Sequence, residues 1–262
     1  MELNTPDATL FAYTGARAHQ EGQQAVVFIH GTGMDHTVWV LPSRYFARHG
    51  YNVLALDLPA HGRSAGEPAP TIDTMADAVT EAMAAAGIES AALVGHSMGS
   101  LVALSAAARY PDRTRSLALI GSTAPMGVHP DMMQYASEND HGVIDMLTYW
   151  GYSKAAQLGG NENPGMWMAG GTLRLLEKAN DDIIHIDLDA CQKYDQGLAH
   201  AASVQCPTLF ILGERDIMTP PRSAQKLVDA VPTAKVCVLD GSGHSLMMER
   251  PNGVLDALIS IV

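Results

Sequence analysis

Six short apolar runs without alternation punctuate the chain: Ala25 to Ile29, Val53 to Leu56, Ala91 to Val94, Leu117 to Ile120, Thr208 to Leu212 and Lys235 to Leu239. Continuous runs of this length suit strands buried on both faces. Thr9 to Tyr13 reads as a further short strand. Between the runs the period changes. Ile72, Met75, Ala76, Val79 and Met83 recur at helical spacing, a small-residue apolar segment runs from Leu101 to Tyr110, and Pro251 opens a stretch whose Val254, Leu255, Leu258, Ile259 and Val262 share one face. Strand and helix alternate, which predicts an α/β architecture with a doubly wound, mostly parallel sheet. Reactive groups in such sheets gather outside the carboxyl ends of the strands.

One connection breaks the alternation. From Gly121 to Pro207 the chain runs far beyond the dozen or so residues that a crossover needs. The expected organisation is therefore a core of residues 1–124 and 201–262 with a mainly helical insertion, residues 125–200, between two late strands. The insertion is rich in Met126, Met132, Met133, Met146, Met166 and Met168 and in Trp150, Trp167 and tyrosines. It is punctuated by Gly159-Gly160, Gly170-Gly171 and the polar loop from Asn161 to Gly165. Pliable methionines beside large rings suit an apolar ceiling over a pocket, and Met126, Met146, Trp150 and Trp167 are its expected substrate-binding members.

The net charge of −12 argues against nucleic acid or an anionic membrane surface as partner and leaves a small-molecule substrate. No stretch reaches the roughly 18 apolar residues of a membrane span, and the start carries neither a basic nor an apolar leader, so the expected location is the cytoplasm. The three cysteines, Cys191, Cys206 and Cys237, have no metal-type spacing and read as reduced thiols.

The candidate chemistry centres on Gly95-His96-Ser97-Met98-Gly99, placed between a strand and a helix. A serine at the apex of so sharp a turn needs neighbours without bulk two residues on either side, which Gly95 and Gly99 supply. Ser97 is the expected nucleophile. A serine hydroxyl needs a base and the base needs an orienting acceptor. His244 follows the last strand in a glycine-rich loop, and Asp216 follows the strand ending at Leu212, with Glu214 as its rival. Among the remaining histidines, His30 ends a strand, His96 flanks the serine, His61 belongs to a tight turn, and His129, His141, His185 and His200 fall in or beside the insertion, all duller places. The backbone amides of Thr32, between Gly31 and Gly33, and of Met98 are the expected oxyanion donors. No metal and no cofactor are called for, since the hydroxyl needs neither and no dinucleotide glycine pattern follows the first strand.

Four separated stretches together resemble the α/β-hydrolase superfamily, of the capped serine esterase and C–C hydrolase type. They are His30 to Gly33 with Trp39; Asp57 to Ser64; Gly95 to Gly99; and Gly213 to Asp216 with Gly243-His244 and Glu249 to Pro251. The resemblance implies the α/β-hydrolase fold with a helical cap, Ser97 as nucleophile, His244 as base, Asp216 as its partner, and the Thr32 and Met98 amides as oxyanion hole. Ala60 stands where that pattern more often has glycine, the triple glycine of one lipase branch is missing, and the N-terminus reads as too short for the complete set of leading strands. An ester, lactone or thioester hydrolase is the expected activity, with a C–C hydrolase and a non-catalytic receptor as alternatives. The C–C reading needs cations to hold a dienoate, and the insertion offers few: Lys154, Arg174, Lys178 and Lys193.

Overall fold

The computed structural model describes residues 1–160, 162 and 165–262; in the expected polar loop, Asn161, Asn163 and Pro164 lie outside the described residues. One eight-stranded sheet runs in the order β1-β2-β4-β3-β5-β6-β7-β8. The strands are β1 (Glu2–Asn4), β2 (Thr9–Tyr13), β3 (Ala25–Ile29), β4 (Asn52–Leu56), β5 (Ala91–His96), β6 (Thr114–Ile120), β7 (Thr208–Gly213) and β8 (Ala234–Leu239). Pairing is antiparallel for β1 with β2 and β2 with β4, and parallel from β4 through β8. Helices α1 (Val40–Arg48), α2 (Ile72–Ala85) and α3 (Met98–Arg109) connect the first half. The stretch between β6 and β7 holds α4 (Pro130–Ser137), α5 (Gly142–Gly151), α6 (Lys154–Gln157), α7 (Met168–Leu176), α8 (Ile183–Lys193) and α9 (Gly197–Ser203), and the end of the chain adds α10 (Pro221–Ala230), α11 (Leu246–Glu249) and α12 (Pro251–Ile259).

The unbroken apolar runs follow from burial on both sides. Alternate residues of β3 and β5 point to opposite layers, so Val27, Ile29 and Leu93 join α2 and α3 while Val26, Phe28, Ala92 and Val94 join α1 and α12. Trp39 lies fully buried against Phe28, with ring centroids 5.2 Å apart. The insertion has small apolar clusters of its own, one around Met132, Val143, Ile184 and Leu188. Among the described residues no helix is long and apolar enough to cross a membrane.

Two sequence expectations need correction. The N-terminus is not too short for a second leading strand: Glu2–Asn4 forms β1 and pairs with β2 through Leu3 and Leu10; three residues with one buried side chain are too few to show a period. The run from Lys235 to Leu239 is not buried on both faces. It is the open edge of the sheet, and Val236 and Val238 face outward.

The tightest backbone approach lies where β5 meets α3. A Cβ on Gly95 would stand 2.0 Å from the Gly99 carbonyl oxygen, and one on Gly99 would stand 2.4 Å from the carbonyl oxygens of Ile29 and His30. These obstacles are backbone and cannot rotate away. Gly95→Ala and Gly99→Ala should each lose stability at or beyond the ~1–3 kcal/mol of ordinary overpacking. Gly87, at φ 70° with open space around it, is the control and should lose only the ~1–2 kcal/mol of left-handed backbone. Urea unfolding that ranked Gly87→Ala as costly as Gly95→Ala would contradict this account.

Candidate active site

Ser97 joins β5 to α3 at φ 53° and ψ −121°, a conformation that costs a non-glycine residue about 1–3 kcal/mol. Its amide is tied to the Ile120 carbonyl at 2.9 Å, which holds the turn against β6. Ser97 is half-buried and opens on a cavity of about 370 Å³. Ser100 and Ser122 are fully buried and take no part in the cavity wall.

The loops after β7 and β8 bring Asp216 and His244 together. His244 Nδ1–H donates to Asp216 Oδ2 at 2.7 Å. The other carboxylate oxygen accepts the amides of Met218 and Thr219, each at 2.8 Å, and the Thr219 hydroxyl donates to Oδ2 at 2.7 Å. Burial opposes ionisation of Asp216, but the adjacent His244 charge and these hydrogen bonds outweigh it and hold the carboxyl at about 2. With Nδ1 committed as donor, Nε2 carries the lone pair. It is buried and has no hydrogen-bond partner among the described residues, and His244 lines the same cavity as Ser97. Glu214, the rival acid, is exposed and accepts the Gly241 amide in the neighbouring turn.

Three further groups hold the His244 loop. Buried His96 donates from Nε2 to the His244 carbonyl at 2.9 Å. Buried Glu249 accepts the Gly243 amide at 3.0 Å and, from the insertion, the Ser153 hydroxyl at 2.6 Å; burial pushes its carboxyl up. The Ser245 amide donates to the Gly151 carbonyl at 2.7 Å, so the His244 loop is bonded to the end of α5.

Gly31 and Thr32 also line the cavity, and Gly33 follows them in the loop after β3. Neither the Thr32 amide nor that of Met98, the first residue of α3, has an acceptor among the described residues. His30 accepts the Leu58 amide at Nε2 and therefore donates from Nδ1 to the Gly31 carbonyl at 2.9 Å. The Gly33 amide donates to Asp187 of α8 at 2.8 Å, and the same oxygen accepts from His61 Nε2 at 3.0 Å. His61, expected only to serve a tight turn, thus bridges core and insertion. In that turn Ala60 adopts φ 63°, the backbone that explains the glycine more often found there.

Of the expected ceiling residues, the structure brings Met126 and Trp150 to the cavity and not Met146 or Trp167. Leu147, Trp150 and Gly151 face the cavity from α5; Met146 is rotated about 100° from Leu147 and packs within the insertion. Trp167 precedes α7, is 70% exposed, and lies over Gly170, where a Cβ would meet its ring. Met34, Val128, Met132, Leu188, Cys191, Ile217 and Met218 add to the apolar wall. Among the described residues the wall carries no lysine, arginine, aspartate or glutamate. Among the described residues, Asp35, His36 and Asp57 form the one group whose ligand atoms converge as a metal would require. There Asp57 already accepts from the His36 ring and from the amides of His36 and Arg63, so its oxygens are committed to donors.

The sequence profile described as alpha/beta hydrolase fold matches residues 24–157, just over half of the chain, and one described as TAP-like protein matches residues 184–260. The chain belongs to the alpha/beta hydrolase fold family and is an α/β-hydrolase enzyme. Among its relatives is an (E)-2-((N-methylformamido)methylene)succinate hydrolase of Acinetobacter baylyi, 24% identical over 93% of this chain and 92% of that protein. The fold is shared with an enol-lactonase from Burkholderia xenovorans (TM-score 0.89, 20% identity, 99% and 98% of the two chains covered). It is shared also with a thermophilic esterase from Thermogutta terrifontis (TM-score 0.85, 20% identity, 99% and 96% covered).

The buried imidazoles make stability acid-sensitive. Burial lowers His30 to about 4 and His96 to about 3, with the charges of His61 and His244, respectively, acting in the same direction. An unfolded histidine protonates near 6.5. As pH falls below that value, the unfolded chain takes up protons that these sites refuse, so stability declines until pH passes 4 and then 3. At ~1.4 kcal/mol per pKa unit the loss reaches several kcal/mol by pH 4. Asp216 adds little to this window, because its stabilisation is lost mainly as pH falls from about 4, where the unfolded carboxyl protonates, to about 2. Unfolding free energies from urea titrations should decrease steadily from pH 7 to 4, and His96→Asn, which cannot charge, should flatten the slope; a slope unchanged in that variant would remove His96 as a cause.

Proposed function

We propose that this chain hydrolyses an uncharged, partly apolar carboxylic ester or lactone through an acyl-enzyme on Ser97. One observation carries the reading: a serine at a strained strand-to-helix apex and the free Nε2 of a histidine whose Nδ1 is bonded to a buried carboxylate open on one apolar cavity. In this reading Ser97 Oγ attacks the carbonyl carbon while His244 Nε2 takes its proton. Asp216 holds the ring and stabilises the imidazolium. The oxygen that becomes negative is received by the Thr32 and Met98 amides, donors typically worth ~3–4 kcal/mol each. His244 returns the proton to the departing alkoxide, and a water activated by the same nitrogen releases the acid.

Residues 125–200 act as the cap domain, closing the carboxyl edge of the sheet with Met126, Trp150, Leu147 and Leu188. The absence of fixed cations from the described wall favours an uncharged acyl group and weighs against a dienoate for C–C cleavage. The esterase and lactonase among structures of the same fold agree with an acyl-transfer reading.

A fluorophosphonate probe should label Ser97, and Ser97→Ala should abolish both labelling and ester turnover. An adduct on Ser100 or Ser122 would defeat the assignment. Of two p-nitrophenyl esters matched in size, the neutral acyl chain should exceed the one ending in carboxylate in kcat/KM by at least ~10-fold, since an unpaired charge is costly to bury. A preference for the anionic ester would reverse the substrate class.

Each buried methylene is worth ~0.8 kcal/mol, so kcat/KM should rise by up to ~4-fold per added carbon until the cavity is full. Trp150→Ala should move the optimum towards longer or bulkier acyl groups with labelling of Ser97 intact. An unaltered chain-length profile would show that Trp150 does not bound the substrate.

A further inference from the structure

Asp187 is an acid on the inward face of a helix, 1% exposed, with Ile184 one turn before it and Cys191 one turn after. Those three residues lie along the loop from Gly31 to Gly33. A Cβ on Gly33, which adopts φ 64°, would stand 2.8 Å from Ile184 Cγ1 and 3.2 Å from Leu176 Cδ2, so both α7 and α8 press on the loop. Cys191 lines the cavity beside Thr32. At the centre, one Asp187 oxygen accepts the Gly33 amide and His61 Nε2–H. The His61 ring faces acceptors at both nitrogens, the Pro59 carbonyl at 2.9 Å and Asp187 at 3.0 Å. A neutral imidazole has one N–H and cannot satisfy both, whereas an imidazolium against a carboxylate can. The arrangement is a buried ion pair spanning core and insertion, with the amide of the loop glycine as its third member.

We propose that Asp187 is a positioning residue of the oxyanion loop: its carboxylate fixes the Gly33 amide and thereby the direction of the neighbouring Thr32 N–H, so that the loop is correctly set only while α8 is docked. The proposal rests on the reading of Thr32 as an oxyanion donor. Asp187 touches no substrate; it acts through the peptide next to the one that does. A group of this kind affects the transition state more than ground-state binding. Its loss therefore registers in kcat and in the affinity of a tetrahedral adduct, while KM stays nearly constant.

The test compares native enzyme, Asp187→Ala, Asp187→Asn and Ser97→Ala on one neutral p-nitrophenyl ester, with inhibition by a trifluoromethyl ketone that forms a tetrahedral adduct on serine. Asp187→Ala should lower kcat by ~30-fold or more, short of the ~10²–10³ for outright loss of an oxyanion donor. KM should stay within ~3-fold, and the ketone should weaken in parallel with kcat. Asp187→Asn keeps an oxygen for the Gly33 amide but not the charge for His61, and should recover part of the loss. End-point labelling by fluorophosphonate counts the folded sites, and rates are expressed per labelled site. Full kcat in Asp187→Ala, a loss confined to KM, or unchanged ketone affinity would overturn the proposal. If Asp187→Ala fails to fold, Asp187→Asn decides by the same measurements: a parallel loss of kcat and ketone affinity supports the proposal, and native values overturn it. Turnover surviving in Ser97→Ala would overturn the acyl-enzyme reading and this proposal together, whereas inert Ser97→Ala beside native-like Asp187 variants would overturn this proposal alone.

Discussion

The structure depends on a steric constraint at one point, where the first turn of α3 touches the carboxyl end of β3. Gly99 leaves no room for a side chain against the Ile29 and His30 carbonyls, and Gly95 leaves none against Gly99. The contact lets the chain reverse within one residue, and the left-handed backbone at Ser97 is the result. The neighbouring core is packed around that approach: Met98, Leu101 and Val102 lie fully buried on one side of the sheet. The cost of the strained residue is carried by packing on every side of it rather than by any single bond.

Around this point burial gives similar imidazoles different charges. His30 and His96 are far from solvent and face groups that one N–H satisfies, so they remain neutral and serve as donors to backbone carbonyls. His61 is equally buried but faces a carboxylate and a carbonyl. Burial lowers its affinity for a proton, yet the Asp187 charge and hydrogen bond raise it further. His244 combines a carboxylate on one nitrogen with an unpartnered second nitrogen at a cavity. The same side chain is a backbone clip, a cation or a candidate base according to what lies within about 3 Å of its ring nitrogens.

Much of this was legible in the residues because burial on both faces leaves a plain mark. The run from Ala25 to Ile29 coincides with β3, and the helix starting at Ile72 begins at a Thr71 cap. The convergence of Ser97, Asp216 and His244 on one sheet edge followed from reading each at the carboxyl end of a strand. Legibility ends where an answer depends on which face a residue turns or on which neighbour it meets. Val236 and Val238 have the composition of buried strand residues, but β8 has a partner on one side only. Met146 and Trp167 share the chemistry of Met126 and Trp150; helical rotation in one case and an outward turn in the other remove them from the cavity. Asp187 did leave a signal, a carboxylate in register with Ile183, Ile184, Leu188 and Cys191 on an apolar stripe, but its partners Gly33 and His61 lie far away in the chain.

The long excursion between β6 and β7 also bears on how the molecule is made. Ile120 pairs with Ile211 across that excursion, so joining β7 and β8 to the sheet requires closing a loop that contains six helices. Loop closure of this length is an entropic cost met before the contacts that repay it exist, which slows formation of such pairings. The strands before the excursion carry Ser97 and Thr32; those after it carry Asp216 and His244. A chain whose first half has folded would hold the serine elbow without the Asp216–His244 pair, and the proposed triad would come into being only with the last strand pairing.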